Sequence, residues 1–265
     1  MPKAASKRKV KTKNSWALLY ALTSFAVVII VWNLATAYTS FGSIFPTPWA
    51  VAKLFLLSLH EPIGQHTIII HLLFSLYRVI VGFSIGATLG TVTGLLMGTS
   101  KTADAIIRPI FDVARPIPAI AWLPLAILWF GIGAASKFFI IGLASFVVCT
   151  LNSYAGAKRV DPVLVGAARM LGASDRQIFT KIVLPSSIPQ VFAGLQIAIT
   201  GAWSVVLVAE MVRATEGAGW IIITGMNTGN ITRILVGLIA IGITGMLLAT
   251  LMRLIERRAL AWNSR

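Results

Sequence analysis

The chain has 265 residues, of which 57% are hydrophobic and only 12% charged; an ordinary soluble domain carries roughly 25% charged residues, so the composition excludes that class and points to a membrane protein. Net charge is +15, from 23 Lys and Arg against 8 Asp and Glu. The basic residues fall in short segments between apolar runs, with no basic stripe interleaved with aromatics, so the surplus reads as a loop bias and argues against a nucleic-acid partner.

A spanning helix needs about 20 mainly apolar residues. Six runs are candidates, over residues 16–37, 79–97, 109–130, 138–151, 191–212 and 234–252, the fourth only with its flanks. The expected fold is an all-α polytopic membrane protein, with residues 1–15 a basic tail and residues 16–265 a domain of six transmembrane helices in the lipid bilayer. The first run follows basic sequence and ends on Ala35-Thr36-Ala37, as a signal peptide would. Its length of about 22 residues exceeds the roughly 7 to 15 of a signal-peptide core, so a retained first helix is expected.

Lys and Arg set the orientation. Six lie in the N-terminal tail (Lys3, Lys7, Arg8, Lys9, Lys11, Lys13), five between the fourth and fifth runs (Lys158, Arg159, Arg169, Arg176, Lys181) and four after the sixth (Arg253, Arg257, Arg258, Arg265). The alternate connections hold fewer: Lys53, with Arg78 at the very start of the second run, then Lys137, then Arg213 and Arg233. Both termini and the fourth connection are therefore expected in the cytoplasm.

After the first run, Pro46-Thr47-Pro48 forces extended chain. Residues 49–60 then read as an interfacial helix with Trp49 and Phe55 at headgroup level. The second run carries Gly82, Gly86, Gly90, Gly94 and Gly98, a spacing that lets helix backbones approach closely, within the chain or at a subunit interface. Four residues overshoot a turn by about 40°, so the stripe winds and can touch more than one neighbour. In the third run Pro116, Pro118 and Pro124 each remove a backbone donor, which a membrane helix tolerates only where neighbours or a watery cavity satisfy the freed carbonyls. This run is the candidate pathway wall, with Arg115 and Trp122 as candidate pathway residues; alternatively Arg115 lies at the cytoplasmic end and snorkels. Cys149, the single cysteine, sits in an apolar run and reads as a small hydrophobe.

The fourth connection is a polar island, GAARMLGASDRQIFTKIVLP over residues 166–185. Asp161 followed by Pro162 is a carboxylate cap and a first-turn proline. Residues 163–171 can make about two turns, stopped by Gly172 in a left-handed cap. Ser174 to Gln177 fits a capping box and starts a second short helix, which Leu184-Pro185 is expected to end. Gly166, Ala167 and Ala168 leave a nearly bare face on which a groove of another protein could close.

The fifth run contributes Trp203 and Glu210 as further candidate pathway residues; Arg213 lies three positions after Glu210, so on-helix pairing stands beside a gate or solute contact. Residues 216–220 (EGAGW) read as an outer loop, either a contact for a partner or a simple turn. His60, His66 and His71 are six and five apart, which does not give the shared face of metal ligands spaced by four. GTSKT at residues 98–102 has Ser100 where a phosphate loop needs glycine, and no Gly-Xaa-Ser-Xaa-Gly elbow occurs. No catalytic residue and no cofactor are expected in this chain.

The island resembles the cytoplasmic motif of bacterial ABC importer permeases: Glu-Ala-Ala, three residues, Gly, nine residues, Ile, one residue, Leu-Pro. Ala167, Ala168, Gly172, Ile182, Leu184 and Pro185 meet that spacing, and Gly166 stands where the family usually has Glu. SLYRVIVGF at residues 75–83, RPIPAIAWLPLAILWFGIG from Arg115 and GAWSVVLVAEM from Gly201 are similar to permeases of the nitrate, sulfonate and taurine group. The resemblance spans residues 45–262. It implies a permease acting as a homodimer in the bacterial inner membrane, served by two ATPase subunits that hold the ATP and magnesium and by an extracytoplasmic solute-binding protein. It further implies that Gly166, Ala167, Ala168, Arg169, Gly172, Ala173 and Asp175, within a coupling segment at about 161–189, meet the ATPase, and that the solute is a small anion, a sulfonate such as taurine before nitrate or bicarbonate. A self-sufficient carrier or an intramembrane enzyme is the competing class, and would call for acidic or histidine clusters at membrane depth.

Overall fold

The computed structural model describes residues 10–260; the basic residues of the first nine positions, and Arg265, lie outside them. Helix α1 (Val10–Tyr38) runs unbroken through Ala35-Thr36-Ala37. Nearly all of its apolar surface faces away from the rest of the chain. The Trp32 indole anchors it by donating to the Pro46 carbonyl at 3.0 Å. A 3-10 turn at Ser40–Ser43 leads to α2 (Pro48–Ser58), where the Thr47 hydroxyl accepts from the Ala50 amide and Pro48 fills the first turn. Trp49 is exposed, as a headgroup residue should be. Phe55 is not: it lies four residues after the buried Val51, shares its helix face and packs inward with it.

Helix α3 (Ile68–Thr99) begins well before residue 79. His71, Ser75 and Arg78 break the apolar pattern there, yet all three are buried with polar partners, so the helix accommodates them. Ser100 then caps α4 (Lys101–Ala114). The third apolar run is not one straight span. The chain turns through a 3-10 segment at Ala119–Trp122 into α5 (Leu123–Phe130), and the two halves are bent by 83°. Pro116 and Pro118 disfavour helix at the residues before them and cannot donate, which localises the break; Pro124 falls in the first turn of α5, where no donor is needed. Among the described residues, five helices are long and apolar enough to cross a membrane, and counting the bent pair as one span brings the number to six.

Helix α6 (Ala134–Lys158) packs along α3 through the glycine stripe. A Cβ at Gly82, Gly86, Gly90, Gly94 or Gly98 would run into Ile141, Gly142, Phe146, Thr150 or Ala157 in turn, so all five glycines serve one intrachain contact with one neighbour. Two short helices follow, α7 (Pro162–Met170) and α8 (Asp175–Ile178), and then α9 (Leu184–Met211). Leu184-Pro185 does not end the second short helix. Residues Phe179–Val183 widen into a π-helical turn in which the Leu184 amide donates back to Phe179; this lets the chain pass Pro185 without breaking, so Asp175–Met211 is one continuous 37-residue helix. Helix α10 (Ala218–Asn227) forms where only a loop was expected, and Asn230 caps α11 (Ile231–Ala259). The central core joins α3, α6, α9, α10 and α11 through Val79, Ile141, Ala202, Trp203, Ala218 and Ile241.

Candidate functional site

The sequence marks two ends of the bundle. At one end, the Asp161 carboxylate accepts from the Val163 amide at 2.8 Å and opens α7. Its far end closes in a Schellman motif: Gly172, at φ +80°, donates to Arg169, and Ala173 donates to Ala168, both at 3.0 Å. The contact between Ala168 and Ala173 that accompanies such a motif is present in a cluster with Leu95, Ala157, Ile178 and Val183. Ser174 and Gln177 complete the expected capping box before α8. Arg169 and Asp175 pair across the turn at 3.1 Å.

Seven expected coupling residues therefore share one compact projection, and its outward face is bare. Gly166 and Gly172 have open space where a Cβ would point, and Ala167 is exposed. Met170 and Leu171 stand 86% and 89% exposed at the tip. With Val163 and Leu164 also exposed, the projection carries four large apolar side chains on its surface, a patch of the kind that marks protein–protein contacts.

The opposite end holds a buried polar cluster. Glu210 is fully buried at the end of α9. Its carboxylate accepts from Arg78 Nη1 at 2.7 Å, from the Ser75 hydroxyl at 2.8 and 2.9 Å, and from the Gly219 amide at 3.1 Å. Arg78 also donates to the Glu216 carboxylate at 2.6 Å and to its carbonyl at 3.2 Å. The first three amides of the α10 start are matched in sequence: Gly217 donates to His71 Nδ1, Ala218 to the Ser75 hydroxyl and Gly219 to Glu210. His71 Nε2 donates to the Ile63 carbonyl at 2.9 Å, which fixes the ring tautomer. Gly217 adopts φ +114° with its backbone against the Glu210 carboxylate, so EGAGW is a built junction.

Glu210 does not pair with Arg213. Helix α9 stops at Met211, Val212 is extended and Arg213 turns left-handed at φ 51°, which breaks the three-residue register that the on-helix pair required. The other pathway candidates are scattered. Arg115 caps α4, is paired with Asp112 at 3.4 Å and lies by Tyr154, toward the coupling end; Trp122 packs against the cluster of Leu123, Ile140 and Ala209; Trp203 is buried and donates to the Ile241 carbonyl at 3.2 Å. Sequence reasoning missed Ser75 and Arg78 as partners of Glu210, although both stand in the quoted SLYRVIVGF. No group of three or more His, Cys, Asp or Glu able to hold a metal occurs among the described residues.

Comparison with known proteins decides the family. The model of the binding-protein-dependent transport system inner membrane component family matches residues 86–260. The chain belongs to that family. It is an ABC transporter permease of the nitrate, sulfonate and taurine type. The permease is 33% identical to the taurine transport system permease protein TauC of Escherichia coli over 96% of this chain and 94% of that one. It is 30% identical to the putative aliphatic sulfonates transport permease protein SsuC of Bacillus subtilis (98% and 94% covered) and 31% to the nitrate import permease protein NrtB of Synechocystis (95% of each). In fold it matches an amino acid ABC transporter solved with histidines (TM-score 0.61, 19% identity, 79% of this chain and 97% of that one). It also matches the inward-facing MetNI methionine ABC transporter (0.58, 19%, 72% and 93%). As an ABC importer permease in the inner membrane, it works with ATPase activity housed on a separate subunit.

Proposed function

We propose that this permease, paired with a second copy of itself, carries a small oxyanion inward, driven by two ATPase subunits that grip α7 and α8, and supplied by an extracytoplasmic binding protein. The observation that carries the reading is the bare, doubly capped α7–α8 projection, whose second helix is continuous with the membrane-spanning α9. Gly166, Ala167, Ala168, Arg169, Gly172, Ala173 and Asp175 form its docking face. A partner that moves α8 must move α9. Closure of the ATPases on ATP swings the paired permeases between inward-open and outward-open shapes, and hydrolysis resets them. The concentration of Lys and Arg near the projection supports a cytoplasmic position for this end and for both termini.

The solute is read as anionic because the named solutes of the relatives, taurine, aliphatic sulfonates and nitrate, share an oxyanion group. Sulfonates are favoured. The competing class of self-sufficient carrier gains nothing from the His71–Glu210 cluster, since both nitrogens of His71 and both oxygens of Glu210 are already engaged.

The test is Ala168→Glu in the assembled transporter. Uptake of labelled taurine or nitrate should fall to background, ATP hydrolysis should no longer respond to loaded binding protein, and membrane insertion should be unchanged. Normal uptake by the variant overturns the docking face. Uptake of neither solute by the unsubstituted transporter overturns the solute class alone.

A further inference from the structure

The bent third span carries two features that do not suit a lipid-facing surface. The first is irregular backbone at membrane depth. Arg115 lines a crevice with Thr150, Leu151 and Tyr154 of α6, whereas Ala119 and Ile120 pack into the cluster of Leu123, Ile140 and Ala209. Leu151 and Ile140 lie about 10 Å and about 27 Å from the Lys158 end of α6, at about 1.5 Å per residue, so residues 116–118 cross the middle of the span outside any helix. Residues 112–118 are all exposed, and the carbonyls of Arg115, Pro116 and Ile117 accept no hydrogen bond from any described residue. Open carbonyls are tolerated at that depth only against protein or water. The second feature is a chain of charges. Lys158, Asp104, Arg108, Asp112 and Arg115 follow one another at 3.8, 3.5, 3.6 and 3.4 Å, and Arg115 stands last, at the break. Three cations alternate with two carboxylates, which leaves one positive charge in surplus. Only Nε of Arg115 faces Asp112, so its two terminal nitrogens have no partner among the described residues.

We propose that the break at residues 115–118, with the charge chain that leads to it, forms a wall of the water-filled route through the inner half of the membrane, and that Arg115 is the cation an oxyanion meets there. Water satisfies the open carbonyls and hydrates the half-exposed charges. The free fork of Arg115 matches two oxygens of a sulfonate or nitrate. An exposed guanidinium holds an anion weakly, which suits a contact that the solute must leave again. The role given to Arg115 rests on the anionic-solute reading; the wetted wall does not.

The experiment uses the assembled transporter in inverted vesicles, in a background lacking Cys149, and reads the rate at which Ile117→Cys reacts with membrane-impermeant methanethiosulfonates of either charge. Thiolates form in water and not in lipid, so Ile117→Cys should react at least about 10-fold faster than Val28→Cys on the exposed apolar face of α1. Arg115→Gln should lower the ratio of anionic to cationic labelling about threefold or more, and Arg115→Lys should restore most of it. Asp112→Asn, which frees Arg115, should raise that ratio. Excess sodium nitrate or methanesulfonate, against gluconate, should slow anionic labelling, and should no longer do so with Arg115→Gln. A rate at Ile117→Cys no faster than at Val28→Cys, as for an α4 lying flat on the cytoplasmic surface with Ile117 in lipid, overturns the wetted wall. A charge ratio unmoved by both Arg115→Gln and Asp112→Asn overturns the anion contact. Neither ATP hydrolysis nor uptake enters the measurement, so failure here is separable from failure of the docking face or of the solute class.

Discussion

Glu210 illustrates how a single side chain binds distant segments. It meets α3 through Arg78 and Ser75, and the α10 start through Gly219. Removing one member of a buried ion pair leaves the other charge without a partner, so Glu210→Ala should destabilise the protein by about 3–5 kcal/mol. The double variant Arg78→Met, Glu210→Met should cost markedly less than the sum of the single changes, as read by thermal or denaturant unfolding in detergent. Gly172→Ala tests a different residue-scale feature: at φ +80° a Cβ is strained, and the loss should be about 1 kcal/mol, seen as a lower unfolding midpoint. The glycine cap was legible because its signals lie within a few residues of one another. The partner of Glu210 was not, because Arg78 is 132 positions away and the sequence offered a nearer cation in Arg213.

At the level of helices, the α3–α6 seam and the open face of α9 predict opposite outcomes for one substitution. Gly86→Ala would drive a methyl group into the Gly142 backbone and should cost about 1–3 kcal/mol, whereas Gly201→Ala meets open space and should stabilise α9 by about 0.5–1 kcal/mol. Comparing unfolding midpoints of the two variants checks both. The positions of most apolar helices were readable from composition, and the caps of α7 and α8 from local residue chemistry. Their ends were less so. Helix α3 extends over His71, Ser75 and Arg78 because partners elsewhere in the chain satisfy them, and α9 passes Pro185 because a π-helical turn absorbs the missing donor. The bent third run, by contrast, was signalled by Pro116 and Pro118, whose effect is local.

For the whole molecule, the testable quantity is sidedness. A cysteine placed at Met170, on the exposed tip, should react with a membrane-impermeant maleimide in inverted vesicles and resist it in intact cells. In a background lacking Cys149, one placed at Thr215, exposed near the opposite end, should show the reverse. The overall class was legible from the charge deficit and the island's spacing. The convergence of His71, Arg78, Glu210 and Glu216 was not, since it exists only once α3, α9 and the start of α10 are packed together.

The unbroken 37-residue helix from Asp175 to Met211 spans roughly 55 Å at about 1.5 Å per residue. On a shaft of that length, a rotation of about 5° about one tip sweeps the other by nearly 5 Å, close to the pitch of a full helical turn. A small displacement beside Asp175 thus has the leverage to shift the Arg78–Glu210 clasp by more than the length of a hydrogen bond, provided the intervening helix stays stiff.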